Sequence, residues 1–286
     1  MDPNQANIYF GDNMDVLKEI ESGSVNLVYV DPPFNTGKIQ SRKRIETVRS
    51  EDGDRTGFQG HTYKTKVIGE QSFFDIYDDY IRFLRDRIEE TERVLTSDGS
   101  FFLHLDYREI HYAKVMCDEV FGRESFINEI IWSYDYGGRS KSRWSAKHDN
   151  ILWYAKDPKN FTYRYDDIDR IPYMAPGLVG AEKAAKGKTP TDSWWHTIVS
   201  PNGKEKTGYP TQKPLGIINR IIRVHSNPGD VILDYFAGSG TTGIAALAER
   251  RKVILVDNNR QALEVMCKRF DVNQTTFHNW DCKPND

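Results

Sequence analysis

The chain has 286 residues, 38% apolar and 28% charged, with a net charge of −3, which excludes disordered and fibrous classes and leaves a folded globular protein. No run approaches the roughly 20 apolar residues of a membrane span, and Met1-Asp2-Pro3-Asn4-Gln5 lacks the basic start of a signal peptide, so a cytoplasmic protein without membrane association is expected. Cys117, Cys267 and Cys282 stand in no paired spacing and read as reduced and structural, and the histidines show no ligand spacing, so no metal is expected.

Ile8 to Phe10 reads as a short strand ending at Gly11-Asp12, followed by a helix carrying Val16, Leu17 and Ile20. Val25 to Val30 is nearly all apolar, as in a parallel sheet covered on both faces, and opens into Asp31-Pro32-Pro33-Phe34. A polar stretch follows that reads as a long loop, a feature usually functional or mobile. Between Thr36 and Gly69 it holds eight Lys or Arg against four Asp or Glu, a net +4. Phe73 to Leu95 reads as a helix with a stripe of Ile76, Tyr80, Phe83, Leu84, Ile88, Val94 and Leu95, and Ser97-Asp98-Gly99 turns it into the strand Ser100 to Leu105. A helix from about Tyr107 to Phe121 and strands at Ile127 to Ser133 and Ile151 to Tyr154 complete this half.

Arg139, Lys141, Arg143 and Lys147 form a second basic cluster around Trp144. Basic, aromatic-bearing segments on a near-neutral body suit a protein that grips a phosphate backbone on one face; the alternative is solvated surface. From about Lys156 to Gly208 periodicity fails, and the segment reads as an inserted lobe with Trp194-Trp195 as its small core. Regularity returns with a helix after Pro214 bearing Ile217, Ile218, Ile221, Ile222 and Val224, then strand Val231 to Leu233, a helix from Thr241 to Glu249, strand Val253 to Val256 and a last helix.

This alternation predicts an α/β fold with a doubly wound, mostly parallel sheet. The glycine loop that normally follows the first strand lies almost at the C-terminus, so the order of units is circularly permuted and the final unit is followed in space by Ile8 to Asp12. The expected domains are 1–133, 134–207 (inserted) and 208–286, the first and last forming one body.

Gly238-Ser239-Gly240-Thr241-Thr242-Gly243 is a G-x-G-x-x-G loop at a helix N-terminus, where backbone N–H groups meet a ligand. Asp257 ends the next strand, seventeen residues after Gly240, where an acid reaches ribose hydroxyls. Nicotinamide oxidoreductases and adenosyl-cofactor enzymes share that pattern. Asp31-Pro32-Pro33-Phe34 separates them, because a dehydrogenase has no need of it. An exocyclic amine on a nucleobase is a poor nucleophile, its lone pair being delocalised into the ring. A carboxylate and an aimed carbonyl, here Asp31 and Pro32 on a loop stiffened by Pro33, draw it toward a reactive geometry, while Phe34 offers a stacking face.

These residues resemble the amino-group DNA methyltransferases that use S-adenosylmethionine, in the order of their β class. The likeness rests on Val30 to Gly37, Tyr209-Pro210-Thr211-Gln212-Lys213-Pro214 and Leu233 to Thr242, and covers nearly the whole chain. It implies a Rossmann-like methyltransferase fold with an inserted target-recognition region. It places Gly238, Gly240, Thr241 and Thr242 along the cofactor, Asp234 at its amino group, Thr211 and Lys213 at its carboxylate, Asp257 at the ribose and Asp12 at the adenine edge. Phe236 packs on the cofactor or the target base. Asp at the start of the catalytic motif is more typical of N6-adenine than of N4-cytosine enzymes, so adenine is expected and cytosine is the alternative. The resemblance further implies double-stranded DNA as substrate, base flipping, and compatibility with a homodimer and a cognate restriction endonuclease. Arg42, Lys43, Arg44, Arg49, Arg139, Lys141, Arg143, Lys147, Lys183, Lys186 and Lys188 are the expected DNA contacts.

Overall fold

The structure is a computed structural model that describes residues 5–36, 38–49, 52, 55–56, 62–75, 79–200 and 202–282. The chain forms two compact units, Met1–Phe34 with Asp79–Asp286, and Asn35–Asp78.

In the larger unit the strands are β1 (Ala6–Phe10), β2 (Val25–Val30), β6 (Leu95–Leu105), β7 (Phe126–Ser133), β8 (His148–Ala155), β9 (Ser193–Trp195), β10 (Val231–Asp234), β11 (Lys252–Asp257) and β12 (Thr275–His278). They make one nine-stranded sheet in the order β12-β1-β11-β10-β2-β6-β8-β7-β9. All neighbouring pairs are parallel except β6–β8 and β7–β8. The expected permutation holds: β11 lies beside β1 with Phe10 opposite Asp257, and β10 lies beside β2 with Leu233 opposite Val28. Both motif loops therefore leave neighbouring strands at the same, C-terminal edge of the sheet, where open α/β sheets bind ligands.

Helices α1 (Asn13–Glu19), α2 (Tyr80–Val94), α3 (Ile110–Phe121), α4 (Ala181–Lys186), α5 (Leu215–His225), α6 (Thr241–Ala248) and α7 (Arg260–Arg269) accompany the sheet. Asp79 caps α2 by accepting the Arg82 N–H at 3.0 Å, and Leu84, Ile88 and Val94 make its buried face. On α5, Ile217, Ile218, Ile221 and Ile222 are fully buried, in one cluster with Tyr29, Phe102, Trp132 and Trp153. Each such side chain contributes roughly 1.5–3 kcal/mol on leaving water.

The smaller unit holds β3 (Lys38–Arg49), β4 (Arg55–Thr56) and β5 (Thr62–Asp75), with β3 and β5 antiparallel from Lys38 opposite Asp75 to Arg49 opposite Tyr63. This corrects the reading of that stretch as a loop. Runs such as Ser41-Arg42-Lys43-Arg44 have no apolar alternation, so a period of two is invisible in them. The helix expected from Phe73 begins only at Tyr80, since Phe73 to Asp75 close β5. Helix α3 likewise starts at Ile110 rather than Tyr107. Strand β6 starts at Leu95, and Thr96 to Gly99 form an irregularity between the Val25–Leu95 and Leu27–Ser100 pairings rather than a separate turn. Short β9 and β12 were not anticipated.

Trp194 and Trp195 do not form a separate small core: β9 pairs with β7, which buries Trp194 in the main core and leaves Trp195 71% exposed. Cys267 and Cys282 are joined in a disulfide with Cα atoms 5.8 Å apart, which corrects the reading of both as reduced; Cys117 remains a buried free thiol. Among the described residues no helix is long and apolar enough to cross a membrane, and no acidic, His or Cys cluster fits a metal ion.

Candidate active site

Asp31 follows the last residue of β2, and its two oxygens have different surroundings. Oδ2 accepts the Lys213 ammonium at 2.5 Å, and that ammonium also lies 4.8 Å over the Phe34 ring. Oδ1 is buried and receives no hydrogen bond. The adjoining loop is held from below: the Tyr80 hydroxyl, on the first residue of α2, donates to the Pro33 carbonyl at 2.5 Å.

Behind Asp31 lies a buried relay that sequence reasoning missed. His104 near the end of β6 is fully buried, with Nδ1 3.9 Å from Asp31 Oδ1 and 2.7 Å from the Tyr29 hydroxyl. Its Nε2 is 3.3 Å from Asp149 Oδ2 on β8, and the Tyr134 hydroxyl donates to Asp149 Oδ1 at 3.0 Å. Tyr29 donating to Nδ1 leaves Nε2 as the N–H donor to Asp149. Burial alone would raise the Asp149 carboxyl, but the hydrogen bond from His104, with the Lys213 charge, holds it below its ordinary value. His104→Ala is therefore expected to strand a buried carboxylate and cost roughly 1–3 kcal/mol. Urea unfolding measures this, and an unchanged midpoint would show that the relay carries no stability. The signal was the alternation Leu103-His104-Leu105-Asp106, a polar residue inside an apolar strand.

The glycine loop is locked by its own acids. Asp234 accepts the Phe236 N–H at 3.0 Å and the Thr242 hydroxyl at 2.6 Å, and burial pushes its carboxyl up to about 7. Asp257 accepts the N–H groups of Gly238 and Asn259 at 2.7 and 2.8 Å, and burial pushes it up to about 6. Gly238 has φ +51°, and a Cβ there would lie 3.2 Å from the Tyr209 ring. Gly240, at φ +74°, and Gly243 have no room because Phe270 presses on both: added Cβ atoms would fall 2.8 and 2.6 Å from its ring. Gly240 and Gly243 are thus set by packing against Phe270, and Gly238 by the Tyr209 ring. Arg269, not foreseen, donates to the Ser239 carbonyl at 2.7 Å and to the Thr241 hydroxyl at 3.2 Å.

The remaining expected residues divide. Asp12 caps α1 by accepting the Met14 N–H at 2.8 Å and follows β1, whose Phe10 lies opposite Asp257. Phe236 packs against Phe83 with centroids 6.0 Å apart. Thr211 has φ +60° and donates to its own neighbour, the Pro210 carbonyl, at 2.6 Å, while Lys213 reaches the Asp31 loop. Among the basic residues, Arg139 pairs with Asp135, Lys147 donates to the Tyr136 carbonyl at 2.5 Å, and Lys186 pairs with Glu182 at 2.6 Å on α4, which also carries Lys183. Lys141, Arg143 and Lys183 are exposed, and Lys188 bridges Ile171 through its backbone. Arg42, Lys43, Arg44 and Arg49 lie on β3, and their side chains fall outside what is described.

The family profile for DNA methylase, N6_N4_Mtase, matches residues 25–268. The chain is 31% identical over 278 residues to DNA adenine methyltransferase YhdJ of Escherichia coli (strain K12), covering 93% of this chain and 82% of that protein. It is 29% identical to Type II methyltransferase M.HpaI of Haemophilus parainfluenzae, covering 94% and 77%. The M1.HpyAVI–SAM complex superposes with a TM-score of 0.60 at 21% identity, over 93% of this chain and all (100%) of that one. PvuII DNA methyltransferase (cytosine-N4-specific) gives 0.63 at 16% identity, over 94% and 87%; these two likenesses establish the fold. With the proline loop and the glycine loop on adjacent strands of that fold, the chain belongs to the N6/N4 DNA methylase family and is a DNA methyltransferase.

Proposed function

We propose that the protein methylates the exocyclic N6 of adenine in duplex DNA, with Asp31, Pro32, Pro33 and Phe34 holding the flipped base. The observation that carries this is Asp31 Oδ1, a buried carboxylate oxygen without a donor at the mouth of β2. An amine N–H supplies the missing bond, the Pro32 carbonyl takes the second, and Phe34 stacks on the ring. Both acceptors gain strength as positive charge develops on the nitrogen, which favours the transition state over the ground state. Adenine over cytosine is supported by the Asp at the head of the motif and by the adenine-specific name of the YhdJ relative. A cognate endonuclease and a homodimer extend this reading and rest on the resemblance alone.

The glycine-loop residues fit the cofactor. Asp234 and Asp257 are carboxylates raised by burial, and neither forms an ion pair among the described residues, so a cationic ligand suits them. Bound there, S-adenosylmethionine supplies an electrophilic methyl on a sulfonium. Asp234 would face its ammonium, Asp257 its ribose, Asp12 its adenine edge and Lys213 its carboxylate, with Gly238, Gly240, Thr241, Thr242 and Phe236 shaping the cradle.

These carboxyls give the binding a pH dependence. A cation favours their ionised forms, and the free protein holds protons at Asp234 and Asp257 up to about 7 and about 6. Cofactor affinity should therefore rise from about pH 5.5, with proton release, and level off above about pH 8. Calorimetry in buffers of different ionisation enthalpy reads both quantities; flat affinity across that window contradicts the assignment. For the reaction itself, incubation with duplex DNA and methyl-labelled cofactor, then digestion to nucleosides, should yield labelled N6-methyladenine. Label in N4-methylcytosine would reassign the base.

A further inference from the structure

Trp144 is the most exposed large hydrophobic side chain of the described residues, at 98%, although an indole is among the side chains that gain most on leaving water. It stands on the segment 134–147 that joins β7 to β8. That segment is ordered by its own bonds. Its ends meet where the Tyr134 N–H donates to the Lys147 carbonyl at 2.9 Å, and Lys147 Nζ reaches back to the Tyr136 carbonyl at 2.5 Å. Near the tip the Ser140 N–H donates to Ser145 Oγ at 2.7 Å, and the Ser142 N–H to Ser140 Oγ at 3.2 Å. The loop thus presents Trp144 on a bonded frame, with exposed Lys141 and Arg143 beside it.

Its position is fixed by register. Leu105 at the end of β6 pairs with Asn150, so β8 begins at the same sheet edge from which the Asp31 loop leaves. The side chains Tyr134, Asp149, His104 and Asp31 follow one another from the root of the segment to the catalytic carboxylate. An aromatic face flanked by cations, on a loop rooted at the sheet edge from which the Asp31 loop leaves, matches the chemistry of a stacked nucleobase between two phosphates.

We propose that Trp144 is a wedge that enters the duplex when the target base turns out and stacks on the partner base left behind. The inference rests on the reading of the protein as a methyltransferase of duplex DNA. Turning a base out costs stacking and pairing energy, and a side chain that occupies the gap lowers that cost. The flanking cations hold the backbone without reading sequence.

The test uses the full-length protein and its Trp144→Ala and Trp144→Phe variants. The substrates are two oligonucleotide duplexes carrying the site found by sequencing methylated bases. One has the target base normally paired, and the other has it opposite an abasic position. On the paired duplex Trp144→Ala should lower the single-turnover methylation rate on the order of tenfold or more, the scale of one base–aromatic stack, and Trp144→Phe should keep most of it. Opposite the abasic position there is no orphan base to stack on, and wild type and Trp144→Ala should agree within about twofold, with cofactor affinity equal throughout. Equal rates on the paired duplex would overturn the wedge, as would the same loss on both duplexes. A wild-type protein that binds the cofactor yet methylates no duplex overturns the underlying reading and the wedge with it.

Discussion

Asp31→Ala is expected to lower methyl-transfer turnover by about a hundred- to a thousandfold, the scale of removing one preorganised group from a transition state. The variant loses the buried Oδ1 that awaits a donor and leaves the Lys213 ammonium without its 2.5 Å partner. Because Asp31 is proposed to touch the amine and not the cofactor, the loss belongs in the chemical step, and turnover should fall at saturating cofactor and DNA. Cofactor affinity should hold or tighten, since a freed Lys213 is available to a carboxylate. Asp31→Asn, of the same shape, separates charge from packing. Single-turnover kinetics with calorimetry on the folded variants provides the check. An active Asp31→Ala enzyme removes the proposed mechanism, and loss of cofactor binding alone moves Asp31 to the cofactor site.

Lys213→Met should produce the complementary pattern. A charged hydrogen bond to a carboxylate is worth roughly 1.5–3 kcal/mol, about tenfold to a hundredfold in dissociation constant. The ammonium also pairs with Asp31 and lies over Phe34 in the free protein, so the same residue ties the segment before α5 to the Asp31 loop. Raised KM for cofactor, measured beside direct binding, is the expected result. Unchanged affinity in a folded Lys213→Met protein would confine Thr211 to Pro214 to a structural part.

The sheet and both motif loops were legible because their signals are local. Val25 to Val30 and Val231 to Leu233 are buried strands with apolar runs, and each ends in residues whose spacing has few uses. The permuted order placed the final unit beside Ile8 to Asp12, and the sheet register adds the adjacency of β10 and β2. The three-stranded unit was not legible: its pairing lies between residues far apart in sequence, and its strands carry charges on successive positions. The relay through His104 and Asp149 was hidden because no spacing links those two residues; an antiparallel register between β6 and β8 does. The separate parts of Gly238 and Gly240 were invisible for a similar reason, since only the packing of Phe270 distinguishes two glycines of the same motif.

The most direct test is base-resolved sequencing of modified DNA from a methylase-free host expressing either the wild-type chain or Asp31→Ala. The account predicts N6-methyladenine confined to one short sequence in the first case and a strongly diminished pattern at that sequence in the second. Unmodified DNA from cells that hold folded wild-type protein, or an undiminished pattern with Asp31→Ala, would contradict it.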